Sequence, residues 1–274
     1  MAKWLVVSEM QKLETRTEFT GVETHKLGAP DRAWVRGPLV PRIDANESHL
    51  WKIDLRCETT TEMNASLSSD EHDRAARFHF EKDRQRFRIA HASLRMILGR
   101  YLDVAPALLA FAQTEYGKPF LINPEAAGFH FNLSHSEDLA LVSVTMDREV
   151  GVDIEFMRSN SATIDVAEHF FSVAEVYTLT GLDPSHRTQG FFNCWTRKEA
   201  YIKARGEGLS LALDSFDVSL APDVPVALLQ TRFDPSDVSR WSLHELFPAP
   251  NYAAAIAVER SASSLSFRHF ALAE

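Results

Sequence analysis

Two carboxylates stand two residues apart in Val150-Gly-Val-Asp-Ile-Glu155. The apolar residues around them read as a strand, and side chains two apart on a strand point to the same face. Asp153 and Glu155 can therefore address one cation. Their hard oxygens suit magnesium, which is often held by one or two carboxylates together with phosphate oxygens and water. Such acids are costly to bury on an apolar strand without a cation, although an arginine partner or exposure to water would also satisfy them. A third acid, Glu199, lies in the helical text Phe191-Phe-Asn-Cys-Trp-Thr-Arg-Lys-Glu-Ala-Tyr-Ile-Lys203. Glu199 and Lys203 are four apart and share a helix face. On a surface such a pair contributes only about a few tenths of a kcal/mol. Here Phe191, Phe192, Trp195, Tyr201 and Ile202 leave little polar face, so the pair could equally line a cleft.

Cationic and small polar residues collect earlier in the chain. Arg74, Arg77, Lys82, Arg84, Arg86, Arg88, Arg95 and Arg100 stud one stretch of a protein whose net charge is −9. Most suit a solvated face, while a subset can hold phosphates through the planar guanidinium. Gly117-Lys118-Pro119 is a stiff turn that serves either a hairpin or a phosphate or base contact. Asn132-Leu-Ser134-His135-Ser136 puts polar groups at the end of an apolar strand, where a histidine is either structural or, with Ser134, part of an anion site.

The elements that must position these groups follow from periodicity. His49–Leu55 alternates and predicts a strand. Ser68-Ser-Asp-Glu71 has the serine-to-glutamate spacing of a helix start. Helical spacing then runs to about Leu102, with a break near Phe78–Asp83. Strands are predicted at Phe129–Leu133, Leu139–Thr145 and Val150–Glu155, and helices at Ile164–Phe171, Val173–Leu179 and Thr188–Ala204. Further strands are expected near Phe216–Leu220, Trp241–Phe247 and Tyr252–Val258. A strand, a long buried helix and then several strands thus occurs twice, which predicts an internal pseudo-repeat and a ligand cleft between its halves. We divide the chain into an irregular N-terminal arm (1–45), a first α+β half (46–148) and a second (149–274).

The acidic balance argues against a nucleic-acid binder. Cys57 and Cys194 lack metal-ligand spacing and read as free thiols of a reducing compartment. No apolar run reaches membrane-spanning length and the start lacks a secretory pattern, so the expected location is cytoplasmic. The internal duplication points to a monomer.

Taken in order, Arg77-Phe-His-Phe-Glu-Lys-Asp-Arg84, Glu115-Tyr-Gly-Lys-Pro119, Phe131-Asn-Leu-Ser-His-Ser136, Gly151-Val-Asp-Ile-Glu155, Trp195-Thr-Arg-Lys-Glu-Ala-Tyr-Ile-Lys203 and Gly206–Phe216 resemble the surfactin-synthetase type of 4′-phosphopantetheinyl transferase. The resemblance covers about residues 70–258. It implies an α+β fold of two similar halves related by a pseudo-twofold axis, with coenzyme A between them. It also implies a magnesium ion on Asp153, Glu155 and Glu199, and transfer of phosphopantetheine to a serine of an apo carrier protein of fatty acid, polyketide or nonribosomal peptide synthesis. Carried over residue by residue, Ser134 and His135 would contact the coenzyme A phosphates, with Lys82 and Arg86 near them. Lys118 and Pro119 would lie near the adenine and ribose. Glu199 would be the candidate base, with Lys203 adding positive charge. Some members have a lysine where Glu71 stands and a threonine where Phe87 stands, near the 3′-phosphate; Arg74 and Arg86 would compensate. The competing readings are a magnesium-dependent hydrolase of coenzyme A and a non-catalytic module that binds coenzyme A or a carrier.

Overall fold

The computed structural model describes residues 33–158, 163–262 and 264–272. The part of the expected arm over residues 1–32 lies outside them. A short strand, β1 (Val35–Arg36), leads to β2 (Glu47–Asp54), whose alternation was the first legible signal. Helices α1 (Thr61–Ser66), α2 (Ser69–Ala76) and α3 (Glu81–Leu102) follow. The predicted start of α2 is a capping box: Ser68 Oγ accepts from the Glu71 amide at 3.3 Å and Glu71 Oε2 accepts from the Ser68 amide at 2.9 Å. The first half closes with a small hairpin, β3 (Phe111–Gln113) and β4 (Pro119–Leu121), and a large one, β5 (Phe129–Ser136) and β6 (Leu139–Met146).

The second half repeats that order. It comprises β7 (Val150–Phe156), α4 (Ile164–Phe170), α5 (Val173–Gly181), α6 (Pro184–Arg205), the hairpin β8 (Phe216–Val218) and β9 (Leu228–Thr231), the short α7 (Asp237–Arg240), β10 (Trp241–Leu246) and β11 (Tyr252–Glu259). In the first half the strands lie in the order β2-β6-β5, and in the second β7-β11-β10. In both, all neighbours in these trios are antiparallel and the last strand sits in the middle. The long helices α3 and α6 have 22 residues each and cover one face of their sheets. This is the expected α+β pseudo-repeat. One strand departs from the sequence division: β12 (Ser266–Ala271) returns to the first sheet, between β1 and β2 and parallel to both.

Three apolar clusters result. Sheet β2-β6-β5 buries Trp51, Ile53, Val142, Val144 and Phe131 against Ile89, Leu94, Ile97 and Leu98 of α3. Helix α6 buries Phe191, Trp195 and Tyr201 against Ala253, Ala255 and Ala257 of β11 and Trp241 and Leu243 of β10. Between the sheets, Leu50 and Leu141 meet Val150, Val152, Ile154 and Ile256. Helix α6 is buried on nearly every side, so its charged residues need internal partners. Lys198 Nζ meets Glu175 Oε2 at 2.8 Å and the carbonyls of Leu213 and Phe216 at 2.7 and 2.6 Å. Arg197 donates to the Ser219 carbonyl at 2.6 Å.

Two carboxylates in the first half and at its boundary give the fold a defined acid limit. Burial pushes Glu71 up, but hydrogen bonds from His91 and the Ser68 amide, with the Arg95 charge, outweigh it and hold the group at about 2, against an ordinary 4.5. Glu149 is likewise raised by burial but brought to about 2 by His130 and Lys118. A depressed folded pKa stabilises fully above the unfolded value and is lost as pH falls through the folded one. The thermal midpoint should therefore drop between about pH 4.5 and pH 2, and Glu71→Gln should flatten that drop. Equal acid slopes for the parent and variant would show that Glu71 carries none of it.

Candidate active site

The strand β7 places its acids by simple alternation. Val150, Val152 and Ile154 enter the apolar layer between the sheets. Gly151, Asp153 and Glu155 therefore share the opposite face, where they pair in register with Ala257, Ala255 and Ala253 of β11. The two acids point the same way, as their spacing predicts. Helix α6 rests directly on this face: a Cβ on Gly151 would lie 2.2 Å from the Ala200 carbonyl and 2.3 Å from the Ala204 amide. Only glycine permits that backbone approach.

The close contact fixes the helix relative to the acids. Lys118 Nζ bridges the Val150 and Ala204 carbonyls at 3.2 and 2.9 Å, while Gly151 sits beneath Ala200. Glu199 is the residue before Ala200 on this helix. Lys203, one turn later on the same face, donates to Asp153 Oδ1 at 2.6 Å, to Ser134 Oγ at 3.1 Å and to the Val152 carbonyl at 3.2 Å. Asp153 is fully buried and Glu199 is 8 % exposed.

A third element, β5, closes the arrangement. It is the edge of the first sheet, as β7 is of the second. Side chains rather than a backbone ladder join them. Asn132 Oδ1 accepts from the Val152 amide at 2.9 Å, Ser134 Oγ from Ile154 at 3.4 Å and Ser136 Oγ from Phe156 at 3.0 Å. The serines in turn donate to the acids, Ser134 to Asp153 Oδ1 at 2.8 Å and Ser136 to Glu155 Oε2 at 2.7 Å. Sequence reasoning overlooked this seam. Its signal was available: Asn132, Ser134 and Ser136 recur every second residue, between Phe131, Leu133 and His135.

The remaining predicted residues are distributed around the seam. His135 is on β5, between the two seam serines and on the other strand face. Arg86 of α3 donates to Glu137 Oε2 at 2.6 Å and Asp138 Oδ1 at 2.5 Å in the turn that follows Ser136. Lys82 lies 4.0 Å from the same Asp138 and is otherwise open to solvent. A phosphate reaching Arg86 would have to displace those carboxylates. Arg74 lies over the Phe87 ring at 5.7 Å, one helix away from Arg86. Lys118 holds an internal position, also meeting Glu149 Oε2 at 2.6 Å; burial lowers its pKa against the Glu149 charge. Pro119 opens β4, paired with Gln113. Glu71, where a lysine stands in some members, donates nothing to an anion: it accepts from Arg95 Nε at 2.7 Å and lies 3.2 Å from His91 Nδ1.

Among the described residues, no group of three or more His, Cys, Asp or Glu side chains is arranged as a ready-made metal cage. The donor chemistry nevertheless fits magnesium. Two hard carboxylates face one side of β7, and this ion commonly completes its shell with water and substrate phosphate.

Comparison with known proteins agrees with this architecture. The 4′-phosphopantetheinyl transferase superfamily model matches residues 149–257, and an N-terminal 4′-phosphopantetheinyl transferase model matches residues 56–147. The two matches meet at the boundary between the repeats. The 4′-phosphopantetheinyl transferase HetI of Nostoc sp. is 39 % identical over 240 residues, covering 86 % of this chain and 98 % of that protein. A putative 4′-phosphopantetheinyl transferase of Synechocystis sp. is 36 % identical, covering 65 % and 71 %. The 4′-phosphopantetheinyl transferase Sfp of Bacillus subtilis is 32 % identical, covering 59 % and 70 %. With both halves matched in order and nearly the whole of one relative covered, this chain belongs to the 4′-phosphopantetheinyl transferase superfamily, in its Sfp-like branch.

Proposed function

We propose that the protein transfers the 4′-phosphopantetheine arm of coenzyme A to a serine of an apo carrier protein. The serine oxygen forms a bond to the β-phosphorus, the pyrophosphate P–O bond breaks, and 3′,5′-ADP leaves with the electron pair. The observation that carries this reading is the junction of β5, β7 and α6, where acids, a lysine and serines from both halves meet. Phosphoryl transfer requires alignment and charge neutralisation more than covalent participation by the protein.

Asp153, Glu155 and Glu199 would hold magnesium, which supplies neutralisation of charge on the pyrophosphate oxygens. Lys203, fixed by Asp153 and Ser134, adds a cation that need not reorganise during the reaction. Glu199 accepts the proton that the carrier serine loses. His135, Arg86, Lys82 and Arg74 address the phosphates of coenzyme A, and Ser134, whose hydroxyl proton goes to Asp153, borders them. Lys118 and Pro119 border the adenine and ribose, with the Lys118 side chain acting as a clamp between the hairpin and α6.

The carrier must reach this junction from outside. Val173 and Tyr177, 89 % and 81 % exposed and four residues apart on α5, supply an apolar footing. The arginine-rich α3 favours an acidic partner. No described helix is long and apolar enough to cross a membrane; we take the enzyme to act in the cytoplasm as a monomer.

The direct test is incubation with coenzyme A, magnesium and an apo carrier, read by mass. A transferase adds about 340 Da, one phosphopantetheine arm, to the carrier, as the phosphoryl-transfer chemistry requires. Release of 3′,5′-ADP without a carrier, and with no mass gain when one is supplied, would instead describe a hydrolase. A panel of fatty acid, polyketide and nonribosomal peptide carriers run side by side identifies the target.

A further inference from the structure

The serines of the seam have a geometry that neither seam alone nor phosphate contact requires. Each uses one oxygen in two directions. Ser136 Oγ accepts the Phe156 amide at 3.0 Å and donates its only proton to Glu155 Oε2 at 2.7 Å. Ser134 Oγ accepts from Ile154 and Lys203 at 3.4 and 3.1 Å and donates to Asp153 Oδ1 at 2.8 Å. A hydroxyl has a single proton and two acceptor lone pairs. With the backbone amide filling an acceptor site, the proton is aimed at the carboxylate. Asn132, the third member of the seam, accepts the Val152 amide at 2.9 Å through its side-chain carbonyl, at a point of β7 where Gly151 and Val152 carry no carboxylate. The seam thus contains an internal control: one residue that only joins the sheets and two that also grip an acid.

We infer that Ser136 is a positioning residue, holding the Glu155 carboxylate in the rotamer from which it faces the divalent cation, and that Ser134 does the same for Asp153. The inference rests on the metal-dependent reading of the site given above. Strand backbone sets the direction of Cβ but leaves a glutamate three further torsions, so the same-face placement of Glu155 does not by itself fix its oxygens. Glu155 is only partly buried, and packing restrains it less than it restrains Asp153. Hydrogen bonds from outside the ligand set orient ligating carboxylates, and their loss typically costs about 10–100-fold in metal affinity or activity.

The test measures manganese binding by electron paramagnetic resonance on the full chain, without carrier, beside thermal midpoints. Four variants are compared with the parent: Ser136→Ala, Ser136→Thr, Asn132→Ala and Glu155→Gln. Glu155→Gln should weaken manganese binding. Ser136→Ala should weaken it about 10-fold, the lower end of the range for second-layer hydrogen bonds, and Ser136→Thr, which keeps the hydroxyl, should restore it. Asn132→Ala should lower the thermal midpoint while leaving manganese affinity within about twofold, because it breaks the seam without freeing an acid. If Glu155→Gln weakens binding and Ser136→Ala does not, the positioning role is wrong and the metal site stands. If neither changes affinity, Glu155 is no ligand and the inference falls with it. If Ser136→Ala and Asn132→Ala weaken binding equally, the seam acts only by holding the sheets together, and the inference is overturned.

Discussion

Replacing Asp153 by alanine should lower the rate of phosphopantetheine transfer by on the order of 10²-fold or more, the scale of losing one preorganised electrostatic group. The reason lies in how much converges on this side chain. It is wholly buried, it accepts from Ser134 at 2.8 Å and from Lys203 at 2.6 Å, and it shares a strand face with Glu155. Alanine removes a carboxylate proposed to hold the cation and also leaves the Lys203 ammonium facing Ser134 without its carboxylate. Asp153→Asn keeps the shape and the hydrogen bond from Ser134 but not the charge, so it separates these effects. Both variants should remain folded, because the strand and its β11 partner are unaltered, and a folding check by circular dichroism accompanies the rate. Near-parental turnover in a folded Asp153→Ala protein would remove Asp153 from the reaction.

The second large effect concerns stability. Lys198 and Glu175 are 0 % and 3 % exposed and meet at 2.8 Å. Glu175 also completes the capping box of α5 with Ser172 and accepts from the Val218 amide at 2.8 Å. Lys198→Met keeps much of the side chain's length but leaves a buried carboxylate without its cation, and breaking one partner of a buried pair costs roughly 3–5 kcal/mol. That is a large share of a typical folding free energy of about 5–15 kcal/mol. The double variant Lys198→Met/Glu175→Gln should recover part of the loss, since no charge is then stranded. Urea unfolding measures both; a Lys198→Met variant within about 1 kcal/mol of the parent would show that the pair is dispensable, well below the range for a broken buried pair.

These two residues also mark what a sequence can and cannot reveal. The alternation of β7 was legible because a period of two assigns Asp153 and Glu155 to one face wherever the strand lies. The capping box at Ser68 is local for the same reason. The start of α6 was local too, yet lay earlier than its apolar pattern suggested: Asp183 caps it and Pro184 is its first residue, the preferred place for proline in a helix. Lys198 was a different matter. In the sequence it is one more cation beside Glu199, and only the arrival of Glu175 and of the loop carbonyls at Leu213 and Phe216 makes it internal. Strand β12 was illegible for a similar reason, since its partners β1 and β2 lie more than two hundred residues earlier in the chain and its Ser-Phe-Arg-His-Phe-Ala text carries mixed polarity.

The distribution of roles within the motifs follows from this. In Trp195–Lys203, Lys203 reaches β7 and the seam, while Arg197 and Lys198 anchor the following loops to the helix. In Asn132–Ser136 alternate residues join the two sheets, and His135 between them takes the other face. Gly117-Lys118-Pro119 reads from the sequence as either a hairpin or a ligand contact; it lies in the hairpin of β3 and β4, and the Lys118 ammonium ties β7 to the end of α6. Much of the junction is thus held by hydrogen bonds between its own residues, and Asp153 and Glu155 take their geometry from it.

The most direct measurement is a crystal structure of the protein grown with coenzyme A and manganese, examined by anomalous scattering. The account predicts one manganese peak at coordinating distance from carboxylate oxygens of Asp153, Glu155 and Glu199, with the coenzyme A pyrophosphate beside it. A metal peak away from these three acids, or coenzyme A bound at a distance from the junction of β5, β7 and α6, would contradict it.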